Sequence, residues 1–311
     1  MPRDLQLLPK AHLHLHLEGA MRPATLAELA SEAGVPTPPV RGYTSFAEFG
    51  LQYRVASALI VTEDHLRRVV REVVDDAADD GAVWVEPHFY PPRYAGQLGS
   101  IDEVMEIVLD EGQRAAAARG IGCGWIVSAL RDFDPDQAVE LATLAAKYAG
   151  SGVVAFGLAA DEALYPPEPF AEAFAVARDA GLISAPHAGE LVGPASVYGA
   201  LDALGAQRIC HGVRAIEDPA LVERLAVEEV VLDVCPTSNV MLAVVPRSRS
   251  TRSWRCSTPA CAARSPPTTR SCSARACSPS TSSCATPSAC PTSGSPSSPA
   301  PAWWARAPPA S

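Results

Sequence analysis

Beyond Pro246 this 311-residue chain has no aspartate, no glutamate and no lysine, so all 35 acidic residues precede that point. Before Pro246 cysteine is scarce: only Cys123, Cys210 and Cys235 occur there, too few and too scattered for a disulfide framework or a cysteine-rich zinc module. Basic charge is in deficit. The formal net charge is −10, which leaves no field to hold a nucleic-acid backbone or an anionic membrane, and a small-molecule partner is expected. No long uncharged apolar run occurs that could span a bilayer. The segment Met1–Leu8 is too short for a signal peptide and has no cleavage pattern, so a cytoplasmic protein is expected. The composition sets no oligomeric state.

What the chain does have, as far as Pro246, is an alternation of β and α segments. Apolar runs suited to buried parallel strands lie at Ala11–Leu17, Ala82–Glu86, Gly122–Ala129, Val153–Leu158, Leu182–His187, Arg208–His211 and Val230–Cys235. Helical patterns fall between them, among them Ile101–Arg119, Asp136–Tyr148, Glu168–Ala180, Ala195–Leu204 and Pro219–Leu225. This rhythm predicts an α/β fold: a (β/α)8 TIM-type barrel whose last β/α unit is missing or scrambled. Residues 1–246 form the incomplete barrel in this reading, and 247–311 form a separate tail.

Chemistry-bearing residues stand at the ends of the predicted strands. His12, His14 and His16 alternate along the first strand and share one face, so two of them can meet a single metal ion. His187 ends the fifth strand in Pro186-His187-Ala188-Gly189-Glu190, and His211 ends the sixth in Cys210-His211-Gly212. The C-terminal ends of barrel strands converge on one mouth, where such barrels carry their active sites. The ordinary readings are a helix-capping role for Glu190 and a core role for His211. His65 and His88 lie outside these motifs and are read as ordinary.

The run Pro9–Gly19, with His14-Leu15-His16 followed by Glu18-Gly19, resembles the opening of the adenosine deaminase family. His187–Glu190, His211-Gly212 and Cys235-Pro236-Thr237-Ser238-Asn239 resemble its next three signatures, in order. The resemblance covers about the first four-fifths of the chain. It implies one zinc ion per chain held by His14, His16 and His187, with Glu190 as proton donor and His211 as the residue that orients and deprotonates the nucleophilic water. It further implies that His16, Glu18 and Ala160 contact the substrate, Ala160 standing where relatives carry glycine. His12 replaces a carboxylate usual in relatives and is expected to support the shell around the metal. The implied reaction is hydrolytic deamination of a 6-aminopurine in purine salvage, adenosine first, with adenine or aminofutalosine as alternatives. The unrelated zinc deaminase fold needs His-x-Glu and a later Pro-Cys-x-x-Cys, which do not occur in suitable places.

Relatives follow their eighth strand with Asp-Asp-Pro, whose first aspartate ligates zinc, and this chain has no aspartate beyond Asp233. One reading of 247–311 is a low-complexity, disordered tail. The favoured one is translation out of frame. With GC-rich codons, a one-base shift turns the stretch beginning at Pro267-Thr268-Thr269-Arg270 into Asp-Asp-Pro-Leu-Leu-Phe-Gly. Without the aspartates the chain is expected to turn over little, and without the last unit its first and seventh strands are expected to have unpaired edges. A catalytically dead metal-binding protein whose tail, with eight arginines, takes an acidic partner is the reading from a different class, and a non-functional frame product is a third. Sequencing the gene across Val245–Arg270 is the check: a single-base insertion or deletion whose repair restores Asp-Asp-Pro is expected, and a gene that is intact and in frame there would overturn the out-of-frame reading.

Overall fold

The computed structural model describes residues 8–40, 43, 45–244 and the backbone of 274–275. Strand β1 is Lys10–His16, and β2, Ala82–Phe89, lies parallel beside it. A two-residue β3, Gly122–Cys123, leads into β4, Trp125–Leu130, and both run parallel to β2. Then follow β5 (Val153–Ala159), β6 (Ile183–Ala188), β7 (Arg208–His211) and β8 (Val231–Asp233), each parallel to the one before. The seven predicted strands are all present, and the sheet they build is a nearly closed barrel.

The helices lie where the strand rhythm leaves room for crossovers. Between β1 and β2 come α1 (Pro23–Glu32), α2 (Phe46–Ser57) and α3 (Glu63–Asp79). After them come α4 (Ile101–Arg119), α5 (Pro135–Lys147), α6 (Ala171–Asp179), α7 (Pro194–Leu204), α8 (Pro219–Val227) and the short α9 (Pro236–Met241). Their starts are written locally. Ser100 and Glu103 close a reciprocal capping box on α4, Thr62 accepts the His65 N–H at the head of α3, and Asp134 does the same for Asp136 ahead of Pro135. The apolar faces of α3 to α6 pack on the outside of the sheet in a core that includes Val69, Val73, Val104, Val108, Leu141, Phe156 and Phe174, and those of α7 and α8 in a second cluster with Val197, Leu201, Leu221 and Leu225. Among the described residues, no helix is long and apolar enough to cross a membrane.

Inside the barrel the packing is polar. Arg208 on β7 donates to Glu86 Oε2 of β2 at 2.6 Å and approaches Asp233 Oδ2 of β8 at 3.0 Å, while Trp84 Nε1–H donates to Glu86 Oε1 at 2.6 Å. All three charged side chains are under 9% exposed. The Arg208–Asp233 contact is an ion pair out of hydrogen-bonding alignment, and burial pushes the Asp233 carboxyl up to about 7 against the pull of Arg208. Gly157 on β5 leaves room above this layer: a Cβ there would lie 2.5 Å from Ser128 Oγ and 3.3 Å from His88 Nδ1.

Past β8, the expectation of unpaired edges on the first and seventh strands is corrected for the seventh alone. β9, Ala274–Arg275, pairs antiparallel with β8, through Val231 with Arg275 and Leu232 with Ala274. A backbone ladder supplies the edge with partners in either strand direction. Apart from β9, the expectations for 247–311, including the Asp-Asp-Pro position, lie outside the described residues.

Because Arg208 neutralises two buried carboxylates on separate strands, Arg208→Met should lower stability by about 3 kcal/mol, the order found when one partner of a buried charge network is removed. Urea unfolding of the full chain measures this. An unchanged midpoint would mean that the network contributes nothing to holding β2, β7 and β8 together.

Candidate active site

At the C-terminal ends of the strands lies a cavity of about 350 Å³. Its wall includes every residue that the sequence pattern singled out for substrate, proton transfer or metal: His14, His16, Glu18, Ala160, His187, Glu190 and His211. An apolar and aromatic rim from α2 and the loops after β2, β4 and β5 surrounds the opening, with Phe46, Phe49, Tyr53, Tyr90, Phe133 and Leu164.

Three imidazoles meet at the floor. His187 Nε2 lies 3.1 Å from His14 Nε2 and 3.1 Å from His16 Nε2. Nitrogen donors at the usual zinc distance of about 2.05 Å sit about 3.3 Å apart on the edges of a tetrahedron, so each of these two spacings fits a pair of ligands sharing one small cation. His14 Nδ1 faces the Asp233 carbonyl at 3.0 Å; with its proton placed there, the Nε2 lone pair points to the centre. Burial pushes the imidazolium form of all three far down, His16 to about 4, so the rings are neutral and able to ligate at pH 7. His187 Nδ1 is buried with no hydrogen-bond partner among the described residues, so its ring is oriented by packing alone on that side.

Beside this group, Glu190 Oε1 lies 3.3 Å from His211 Nε2. Burial first and the neighbouring Glu162 carboxylate second push Glu190 up to about 8, which makes it a neutral acid at pH 7. His211 is driven the other way, to about 3, by burial against a smaller opposing effect of Asn239. Asn239, from the fourth sequence signature, sits with Nδ2 3.3 Å from His211 Nδ1. His211 has φ +71° and Ala160 has φ +78°, a left-handed conformation that disfavours both side chains. That conformation is a physical reason for the glycine of relatives at the position of Ala160.

Glu18 is 2% exposed and takes a phenol on each oxygen: Tyr53 at 2.5 Å and Tyr94 at 2.8 Å. Neither tyrosine was singled out in the sequence, because phenols on a helix and a loop carry no periodic signal.

Two histidine readings change. His12 does not support the shell: its Nε2 meets Asp80 Oδ2 at 3.2 Å, just before β2 begins and at the far end of the strands from the cavity. Alternate residues advance about 7 Å, so His12 shares a face with His16 but lies about 13 Å from it. His88 is not ordinary. It is 1% exposed, holds Ser128 Oγ at 2.7 Å and stacks on His16 with centroids 4.7 Å apart, directly beneath the ligand group. Among the described residues, the three-donor groups whose ligand atoms all lie within 4.8 Å of one another are His14–His187–His211, His16–His88–His187 and His14–His88–Cys210. Of the two histidines read as ordinary, His65 alone keeps that reading, at the surface 3.3 Å from Glu32.

Comparison with known proteins matches residues 9–251 to the family model for adenosine deaminase. A Streptomyces coelicolor relative named for adenosine/adenine deamination is 45% identical over 260 residues, spanning 78% of this chain and 75% of its own. The crystal structure of adenine deaminase from Arthrobacter aurescens superposes with a TM-score of 0.70 at 30% identity, covering 76% of this chain and 75% of that one. An amidohydrolase from Burkholderia ambifaria with bound Zn superposes with a TM-score of 0.63 at 29% identity, over 79% and 70% of the two chains. The convergence of neutral imidazoles, the raised carboxyl of Glu190 and these matches lead to one conclusion: the chain belongs to the adenosine deaminase family, hydrolases that act on carbon–nitrogen bonds of cyclic amidines.

Proposed function

We propose that the site catalyses zinc-dependent hydrolytic deamination of a 6-aminopurine, giving the 6-oxopurine and ammonia. The observation that carries this reading is two neutral imidazole nitrogens, of His14 and His16, each 3.1 Å from His187 Nε2, next to an acid held neutral at pH 7. His14, His16 and His187 would hold one zinc ion, which when bound supplies a Lewis acid that lowers the pKa of water toward neutrality. Three protein donors are an accepted catalytic set, and the sequence offers no aspartate beyond Asp233 as a fourth.

The chain's own groups do the proton work. Glu190 donates its proton to a ring nitrogen of the purine, which makes the amine-bearing carbon electrophilic. His211 takes a proton from the nucleophilic water at Nε2, which requires its ring hydrogen on Nδ1 with the Asn239 carboxamide turned to accept it. Phe46, Phe49 and Tyr53 flank the ring and exclude water. Glu18 favours the free base over the nucleoside. Its carboxylate, anchored by two phenols, is an acceptor, and adenine has an imidazole N–H to donate where adenosine carries ribose. The sequence pattern ranks adenosine first, and this contact moves adenine ahead of it.

The full chain should bind one zinc per molecule by elemental analysis after dialysis, and His187→Ala should lose it; zinc retained in that variant would remove His187 from the ligand set. Because the aspartate pair is absent, turnover should be slow, and restoring Asp-Asp-Pro by frame repair should raise kcat/KM at least ~100-fold.

In the frame-repaired protein adenine should exceed adenosine in kcat/KM by about tenfold or more, the order that one buried hydrogen bond supplies. The reverse order would return adenosine to first place. Activity should be level below pH 8 and fall above it, because Glu190 has a raised pKa and loses its proton as pH rises through about 8. A profile that instead rises above pH 8 would exclude Glu190 as the acid.

A further inference from the structure

The segment from His187 to Val192 is neither strand nor helix beyond Ala188, yet it holds a candidate metal ligand and the candidate proton donor. Buried backbone of that kind must find its hydrogen bonds elsewhere. Its donors go to one side chain. Glu162, 4% exposed in the loop after β5, accepts from the N–H of Gly189 on Oε1 and from those of Glu190, Leu191 and Val192 on Oε2, the last three at 2.9, 2.7 and 3.2 Å.

The carbonyls face the other way. Arg131, 1% exposed in the loop after β4, donates from Nη2 to the His187 carbonyl and from Nη1 to the Tyr165 carbonyl at 3.0 Å. Gly212 N–H bonds to the Ala188 carbonyl at 2.9 Å, Arg214 N–H to that of Gly189 at 3.0 Å, and the Arg214 guanidinium to that of Leu191 at 2.6 Å. A cap on α7 does not account for Glu162, because all four donors precede Pro194, where that helix begins.

We propose that Glu162 is the positioning residue for Glu190, and that with Arg131 it forms an opposed pair of buried charges, the carboxylate on the donor side of the turn and the guanidinium on its acceptor side. A carboxylate is the one side chain with lone pairs enough for four N–H donors. Glutamine offers a single oxygen, and its NH2 then opposes at least one N–H. Alanine leaves all four donors buried without a partner. The turn bearing Glu190 is thus held by Glu162 even though the two residues are 28 positions apart in the chain. The catalytic consequence rests on the deaminase reading, whereas the clamp itself does not.

Residue-resolved amide hydrogen exchange on the full chain separates the two. In Glu162→Ala the amides of Gly189 to Val192 should exchange ~100-fold faster or more, and in the isosteric Glu162→Gln about tenfold faster, with β6 unchanged in both. Unchanged protection in Glu162→Gln, which has little reason to misfold, would overturn the clamp. In frame-repaired enzyme, Glu162→Ala should lose about 10- to 100-fold in kcat with KM within about twofold, and Glu162→Gln should fall between it and the parent. A rise in KM with kcat preserved would show that Glu162 serves substrate binding and not Glu190. An inactive frame-repaired parent would count against the deaminase reading, and the exchange measurement would still decide the clamp.

Discussion

His187 Nε2, held 3.1 Å from both His14 Nε2 and His16 Nε2 in the buried barrel floor, cannot satisfy both in full. A neutral ring has one N–H to give, His14 can place its own on the Asp233 carbonyl, and burial keeps a second proton off each ring. A cation bound here would take the lone pairs that meet at this point. The layers around the floor serve to hold this meeting in place. His16 is backed by His88, His88 by Ser128, and the space for both is the side chain that Gly157 does not have.

The same low-dielectric interior treats two neighbouring carboxyl groups differently. Glu190 is raised by burial and keeps its proton at pH 7, whereas Glu162 takes four backbone N–H groups. In the proposed mechanism the first is the acid and the second the anchor. Farther down, Arg208 plays the cationic counterpart between Glu86 and Asp233, so polar groups run the length of the barrel. Such buried groups are costly singly and tolerable as a network.

How far the sequence was legible follows from which signals are local. Seven strands, the long helices and the histidines at strand ends were readable because hydrophobic period and chain position mark them directly. His88 was not, although Glu86 and His88 alternate with apolar residues on β2, because it stands outside the four motifs that carried the resemblance. His12 shared the right face at the wrong height. Glu162 was hidden for a different reason: its partners are main-chain N–H groups, which leave no trace in residue types. The tyrosines on Glu18 come from α2 and a loop, 35 and 76 residues away. The tail was legible only as a change of composition.

In a complete eight-stranded barrel a parallel strand would separate β8 from β1. Here, among the described residues, the side chain of His14 spans from β1 to the Asp233 carbonyl on β8, and Cys235 Sγ lies 3.3 Å from the same Nδ1. The proposed metal ligand is thus also a stitch across the seam of the fold. An ion bound only by the closed form adds its binding free energy to the stability of that closure, growing as RT ln(1 + [ion]/Kd). Zinc supply would then govern how much of the chain stays folded as well as how much of it is active, and a chelator would act on both at once.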